Sequence, residues 1–138
     1  MLLKEIMEVY DIIDRKTANG QEVKTFLNNI RKTEIEVNTI SGKNGSTDFI
    51  RITIPGTNGK SSGGDAPTLG ILGRLGGIGA RPEMIGFVSD GDGALVALAV
   101  AAKILDMQNK GDFLDGDVII STHICPNAPT QPHDPVPF

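Results

Sequence analysis

Met84–Ile124, MIGFVSDGDGALVALAVAAKILDMQNKGDFLDGDVIISTHI, is the stretch whose reading decides the fold. Ile85, Gly86, Phe87 and Val88 make a short apolar run, the pattern of a strand buried on both faces. Ser89–Gly93 is a turn with two carboxylates, Asp90 and Asp92. Ala94–Met107 is predicted to be helical, with Leu95, Leu98, Ala102 and Leu105 at spacings of three and four. Val96, Val100 and Ile104 make this helix apolar on most sides, so it is expected to pack between layers. Asp117–Thr122 (DVIIST) reads as the next strand. Strand, helix and strand in this order imply a parallel pair joined by a right-handed crossover. Both strands then end at one edge of the sheet, where ligands of open α/β sheets collect. Asp90, Asp92, His123 and Cys125 belong to that edge.

Working back toward the N-terminus, Leu2–Lys16 is predicted as an amphipathic helix with Leu2, Ile6, Val9 and Ile13 on one face. Asn19 is placed to cap a second helix over Gln21–Arg31, with Val23, Phe26, Leu27 and Ile30 on its apolar face. Lys32–Ile40 alternates, with Ile35, Val37 and Thr39 on one side, and Phe49–Ile54 alternates again with Ile50, Ile52 and Ile54 inward. Asn44-Gly45 between them signals a hairpin. Asp65 is expected to cap a helix from Ala66 to about Leu75, with Pro67 in its first turn. Gly70, Gly73, Gly76 and Gly79 would form a bare stripe on that helix, at about 1 kcal/mol per glycine relative to alanine. The prediction is a single α/β domain over residues 1–138: a mixed sheet with an N-terminal helical pair, a β-hairpin and a parallel strand–helix–strand unit.

Composition narrows the function classes. A net charge of −4 with no basic run does not indicate a nucleic-acid surface, and the absence of Trp with a single Tyr weakens any base-stacking platform. No apolar run reaches the roughly 20 residues that span a bilayer. Lys4, Glu5 and Glu8 interrupt Leu2, Leu3, Ile6 and Met7, so the N-terminus does not read as a signal peptide. The single cysteine cannot form an internal disulfide, which suits a reducing cytoplasm. The five prolines after His123 exclude helix and central strand. Such a tail is expected to wrap over a partner, or to belong to a segment that continues; the chain then reads as a fragment or processed half of a longer protein. The expected partners are accordingly a second copy of the chain or its own C-terminal half, besides a small-molecule or peptide substrate.

Three constellations carry chemistry. Gly56, Thr57, Asn58, Gly59, Lys60 and Ser61 form a loop whose N–H groups, lysine and hydroxyl could cradle a phosphate. The bland alternative is a glycine loop lining another site. Asp90 and Asp92 flank a glycine at a strand end and are candidate metal ligands, with Asp92 and His123 as candidate catalytic groups; Asp92 equally suits a plain helix cap. His123 and His133, ten residues apart, could share a metal such as zinc or manganese with the acids, and Cys125 is a candidate nucleophile or a packed thiol. Gly56–Ser62 is the nearest candidate for what faces Asp90, Asp92 and His123.

The loop GTNGKSS resembles the ATP-binding loop of the Mur ligase and folylpolyglutamate synthetase family, although Gly63–Pro67 intervene before any helix. The order of elements resembles the start of co-catalytic zinc exopeptidases: helix, break (Ala18–Glu22), helix, hairpin, then an aspartate turn opening an Ala/Leu-rich helix. That resemblance implies a metal-dependent hydrolase of peptide-like or amide substrates, with a bridging aspartate at Asp90 or Asp92. The superfamily's His-x-Asp is absent here, and His123-Ile124 stands where it has a Glu-Glu pair. Finally, GKSSGGDAPTLGILGRLGGIGARPE, SDGDGA and STHICPNAPTQPHDPVPF are similar to an uncharacterised archaeal and bacterial family whose members run to about twice this length. This resemblance implies that the chain is an N-terminal half and supplies no activity.

Overall fold

The computed structural model describes residues 1–43, 45–74, 87 and 91–126. Three α-helices and four strands follow in the order α1 (Leu3–Ile13), α2 (Gly20–Ile30), β1 (Glu34–Ser41), β2 (Ser46–Ile54), β3 (Leu69–Leu72), α3 (Asp92–Asn109) and β4 (Val118–Ile124), with a 3₁₀ turn at Lys60–Ser62. The sheet order is β1-β2-β4-β3. β1 and β4 both run antiparallel to β2, and β3 runs parallel to β4. This is the expected mixed α/β sheet.

The helical pair and the hairpin follow their local signals. Asn19 caps α2 by accepting a hydrogen bond from the Glu22 N–H at 2.9 Å. Val9 and Ile13 of α1 and Val23 and Leu27 of α2 are buried in one core, α1 packing on α3 and α2 on α3 and the β1–β2 hairpin. Ile50, Ile52 and Ile54 alternate inward along β2, and Val118, Ile120 and Ile124 do the same along β4. The opposite parity carries Phe49, Arg51, Ser121 and His123, so the helices cover one face of the sheet and leave the other open among the described residues. Asp48 shares the inward parity of the isoleucines and is buried with them. Its Oδ2 accepts from the Gly20 N–H at 2.8 Å and its Oδ1 from the Thr39 hydroxyl at 2.6 Å. One carboxylate thus ties the α2 N-terminus to both strands of the hairpin.

α3 is the central helix. Ala94, Ala97, Leu98, Ala101, Ala102 and Leu105 are all buried, and the alanines let it lie close to its neighbours. As its apolar surface on most sides predicts, it packs on the strands on one side and against α1 and α2 on another, while Val96, beside β3 at the end of the described sheet, is 60% exposed.

The predicted helix from Ala66 is also overturned. Leu69–Leu72 is β3, an extended strand with Leu69 N–H bonded to the Asp117 carbonyl at 2.9 Å and Gly73 N–H to Ser121 at 2.8 Å. The glycines that would weaken a helix do not prevent a strand from pairing with the long apolar β4, and that pairing decides the segment. Asp65 accepts from the Asn58 side chain at 3.2 Å instead of capping a helix. Among the described residues the parallel strand–helix–strand unit is β3–α3–β4. The strand expected at Ile85–Val88 and the turn at Asn44 lie outside the described residues, apart from Phe87. The Phe87 N–H donates to the Asp14 carboxylate at 3.0 Å, and its ring packs on Tyr10 with centroids 5.1 Å apart. Among the described residues no helix is long and apolar enough to cross a membrane.

Candidate functional site

β4 separates two candidate regions. At its amino end stands Asp117, buried one residue before the strand begins. Its Oδ1 accepts from the Gly56 N–H at 2.9 Å and from the Ser61 hydroxyl at 2.8 Å, and its Oδ2 accepts from the Ser61 N–H at 2.8 Å. The Gly56 N–H, then the Ser61 N–H and hydroxyl, hold the carboxyl below the usual aspartate range, against the opposing effect of burial. The next loop donors are also taken: Thr57 N–H bonds Leu114 O at 3.0 Å and Asn58 N–H bonds Asp115 O at 2.8 Å. At Gly59 any side chain would collide with the Asp117 carboxylate, so glycine is required for this close approach. The loop does form an anion cradle, and the anion in it is the protein's own Asp117.

Beside this loop opens a cleft of about 440 Å³ between the C-terminal ends of α2 and α3. Arg31, Lys32, Thr57, Ser62, Gln108 and Phe113 line it, with Glu34 at the same rim. The Arg31 guanidinium lies 5.5 Å from the Phe113 ring centroid and donates to Asn109 Oδ1 at 3.3 Å. Asn109 in turn donates to the Ile30 carbonyl at 2.7 Å, and Gln108 to the Pro55 carbonyl at 2.9 Å. Among the described residues neither Arg31 nor Lys32 forms an ion pair. Of the predicted loop residues, Gly56, Thr57 and Ser61 line this cleft and Lys60 does not.

At the carboxyl end of β4, His123 projects on the open face and stacks on Phe49 across the sheet, with ring centroids 5.7 Å apart. Cys125 Sγ lies 3.7 Å from His123 Nδ1 and 3.1 Å from the Thr47 hydroxyl. Asp92 begins α3 and is exposed, lining a cleft of about 320 Å³ with Leu72, Gly73 and Val96. The crossover thus brings Asp92 and His123 to one edge, with Asp92 in the helical layer and His123 on the open face. Asp90 and His133 lie outside the described residues. Among those described, no three His, Cys, Asp or Glu side chains are grouped to hold a metal ion.

The loop Gly56–Ser62 does not face this edge. Asp117 and His123 are separated by the length of β4, about 20 Å at roughly 3.3 Å per residue. The expectation that loop and acids face one another fails because β2 delivers the loop to the amino end of the parallel pair. Asp117, Arg31 and Gln108 were not singled out from the sequence. A carboxylate just before a buried strand, with a donor-rich loop elsewhere in the chain, was the available sign for Asp117. Arg31 and Gln108 had none, since only packing joins the ends of α2 and α3.

The described residues define an α/β protein with three helices on one face of a four-stranded mixed sheet. Residues 38–138 match the family described as Protein of unknown function (DUF1177), and the chain belongs to that family. The match runs from within β1 to the end of the chain. No curated protein matches it.

Proposed function

We propose that the chain binds a small anionic molecule, phosphate-bearing or carboxylate, in the cleft between the ends of α2 and α3. The observation that carries this reading is a cleft of about 440 Å³ lined by two cations, Arg31 and Lys32, that no carboxylate pairs among the described residues. Its size is in the range of small-molecule sites. Arg31 is held in place by Phe113 and Asn109, so little side-chain entropy remains to be lost on binding. Arg31 also offsets the negative C-terminal end of α2, which leaves Lys32 as the freer charge. In this reading Asp117 preorganises the loop wall and the ligand is held by side chains. Thermal-shift titration with pyrophosphate, ATP and citrate, with and without magnesium, tests it. The expected result is stabilisation by at least one anion that is lost in Arg31→Ala/Lys32→Ala and kept in Lys60→Ala. Stabilisation lost only in Lys60→Ala would return the ligand to the GTNGKSS loop. No response to any of the anions would refute both.

A second reading, metal-dependent hydrolysis of peptide-like or amide substrates, is favoured by the β3–α3–β4 crossover. Asp92 and His123 stand at the carboxyl ends of its parallel strands, where ligands of open α/β sheets bind. These two residues alone do not make a metal centre, and the reading requires Asp90 or His133 as well. Zinc and manganese measured in protein purified without chelator test it: a stoichiometric metal lost in His123→Ala supports it, and metal-free protein that added zinc or manganese does not stabilise refutes it.

A further inference from the structure

The two edges of the sheet differ in kind. β1 carries Glu34 and Glu36 and is flanked by Lys32 and Lys43, the charges that keep an open edge from pairing. Ala66–Gly73 (APTLGILG), which contains β3, carries no charge at all. Leu69 is 55% exposed, Leu72 77% and the adjoining Val96 of α3 60%. Leu69 and Gly73 turn their N–H groups to β4. Strand geometry then directs the N–H and C=O of Gly70 and Leu72 to the free side, where no described residue meets them.

We propose that β3 pairs antiparallel with β3 of a second copy of this chain across a twofold axis, joining two four-stranded sheets into one. Register selects this partner. The free backbone groups belong to residues 70 and 72, so the fullest pairing sets Gly70 opposite Leu72 of the mate, in both directions. Ile71 then meets Ile71 on the axis, and Leu69 meets Gly73. The segment LGILG is thus self-complementary: every leucine faces a glycine. On the open face Leu72 covers Gly70 of the mate, where a side chain would meet nothing within 4 Å among the described residues. On the helical face Leu69 comes opposite Gly73 of the mate, whose own upper side is filled by Gly93 and Ala97 of α3, so its side chain reaches Val96 of the mate beside the cleft of about 320 Å³. Shifting the register by two residues would oppose Leu72 to Leu72 or leave Gly70 against Gly70, so neither alternative fills both faces. A contact of this kind is isologous and closes at two copies.

Sedimentation velocity of the intact protein tests the pairing, with circular dichroism as the check on folding. Twice the chain mass is expected for wild type and for the β1-side control Ile40→Lys, and a single chain mass for folded Leu72→Lys. A second variant reads the register directly. Cα atoms of a non-hydrogen-bonded antiparallel pair lie about 4.5 Å apart, within disulfide range. Ile71→Cys in a Cys125→Ser background should therefore oxidise to a covalent dimer, whereas Thr68→Cys in the same background should not. A monomeric wild-type protein overturns the proposal. So does a dimer that Leu72→Lys leaves intact, or one that Ile71→Cys fails to cross-link.

Discussion

Asp48 offers the sharpest test of how this fold is held together. Replacing it with alanine removes the acceptor of two hydrogen bonds at once, from the Gly20 N–H at 2.8 Å and the Thr39 hydroxyl at 2.6 Å. Hydrogen bonds to a charged group contribute about 1.5–3 kcal/mol each. The hydroxyl can turn to water because Thr39 is exposed, but the Gly20 N–H is buried and finds no replacement. The expected loss is about 2–4 kcal/mol, a large part of the roughly 5–15 kcal/mol that stabilises a domain. Asp48→Asn should fall between wild type and Asp48→Ala, because its single carbonyl oxygen can still accept from one donor. Urea denaturation followed by far-UV circular dichroism measures the loss, with an unchanged slope against denaturant showing that the unfolded state is unaltered. Coupling between Asp48→Ala and Thr39→Val should be about 1 kcal/mol in a double-mutant cycle. A loss below about 0.5 kcal/mol for Asp48→Ala would refute the reasoning, because surface substitutions away from any such feature cost that little.

Two further outcomes follow from the same contacts. Asp117 has its folded pKa depressed below 3.8, so its stabilising contribution is complete above the unfolded value and is lost as pH falls through the folded one. Acid titration should therefore show a larger loss of stability below about pH 4 in the wild type than in Asp117→Asn, with limited proteolysis of Asp117→Asn cutting within Gly56–Gly64 sooner; identical acid profiles and cleavage rates would remove Asp117 as the clamp of the loop. Leu105→Ala should cost about 2–5 kcal/mol in the same urea assay, as a fully buried leucine of the central helix; a cost under 1 kcal/mol would show that this part of the core collapses around the gap.

The amino-acid sequence determined those elements whose signals are local. Asn19 caps α2 because its side chain reaches an N–H three residues on. β1 and β2 pair because each buries the apolar side of an alternating pattern, and α3 is helical because its alanines and leucines recur at helical spacing. Even the burial of Asp48 was legible in principle, since it shares the inward parity of Ile50, Ile52 and Ile54. What the tertiary structure decided depends on contacts between residues far apart in the chain. Leu69–Leu72 is a strand because β4, some fifty residues away, offers an unpaired edge that outweighs a weak local preference. The loop Gly56–Ser62 has the composition of a phosphate cradle, yet its Gly56 and Ser61 donors point at Asp117, and only the path of β2 placed it at the opposite end of the sheet from His123. Arg31 and Phe113 share a cleft because two helices end side by side. Local spacing carries no record of such meetings, because they are set by how the layers pack.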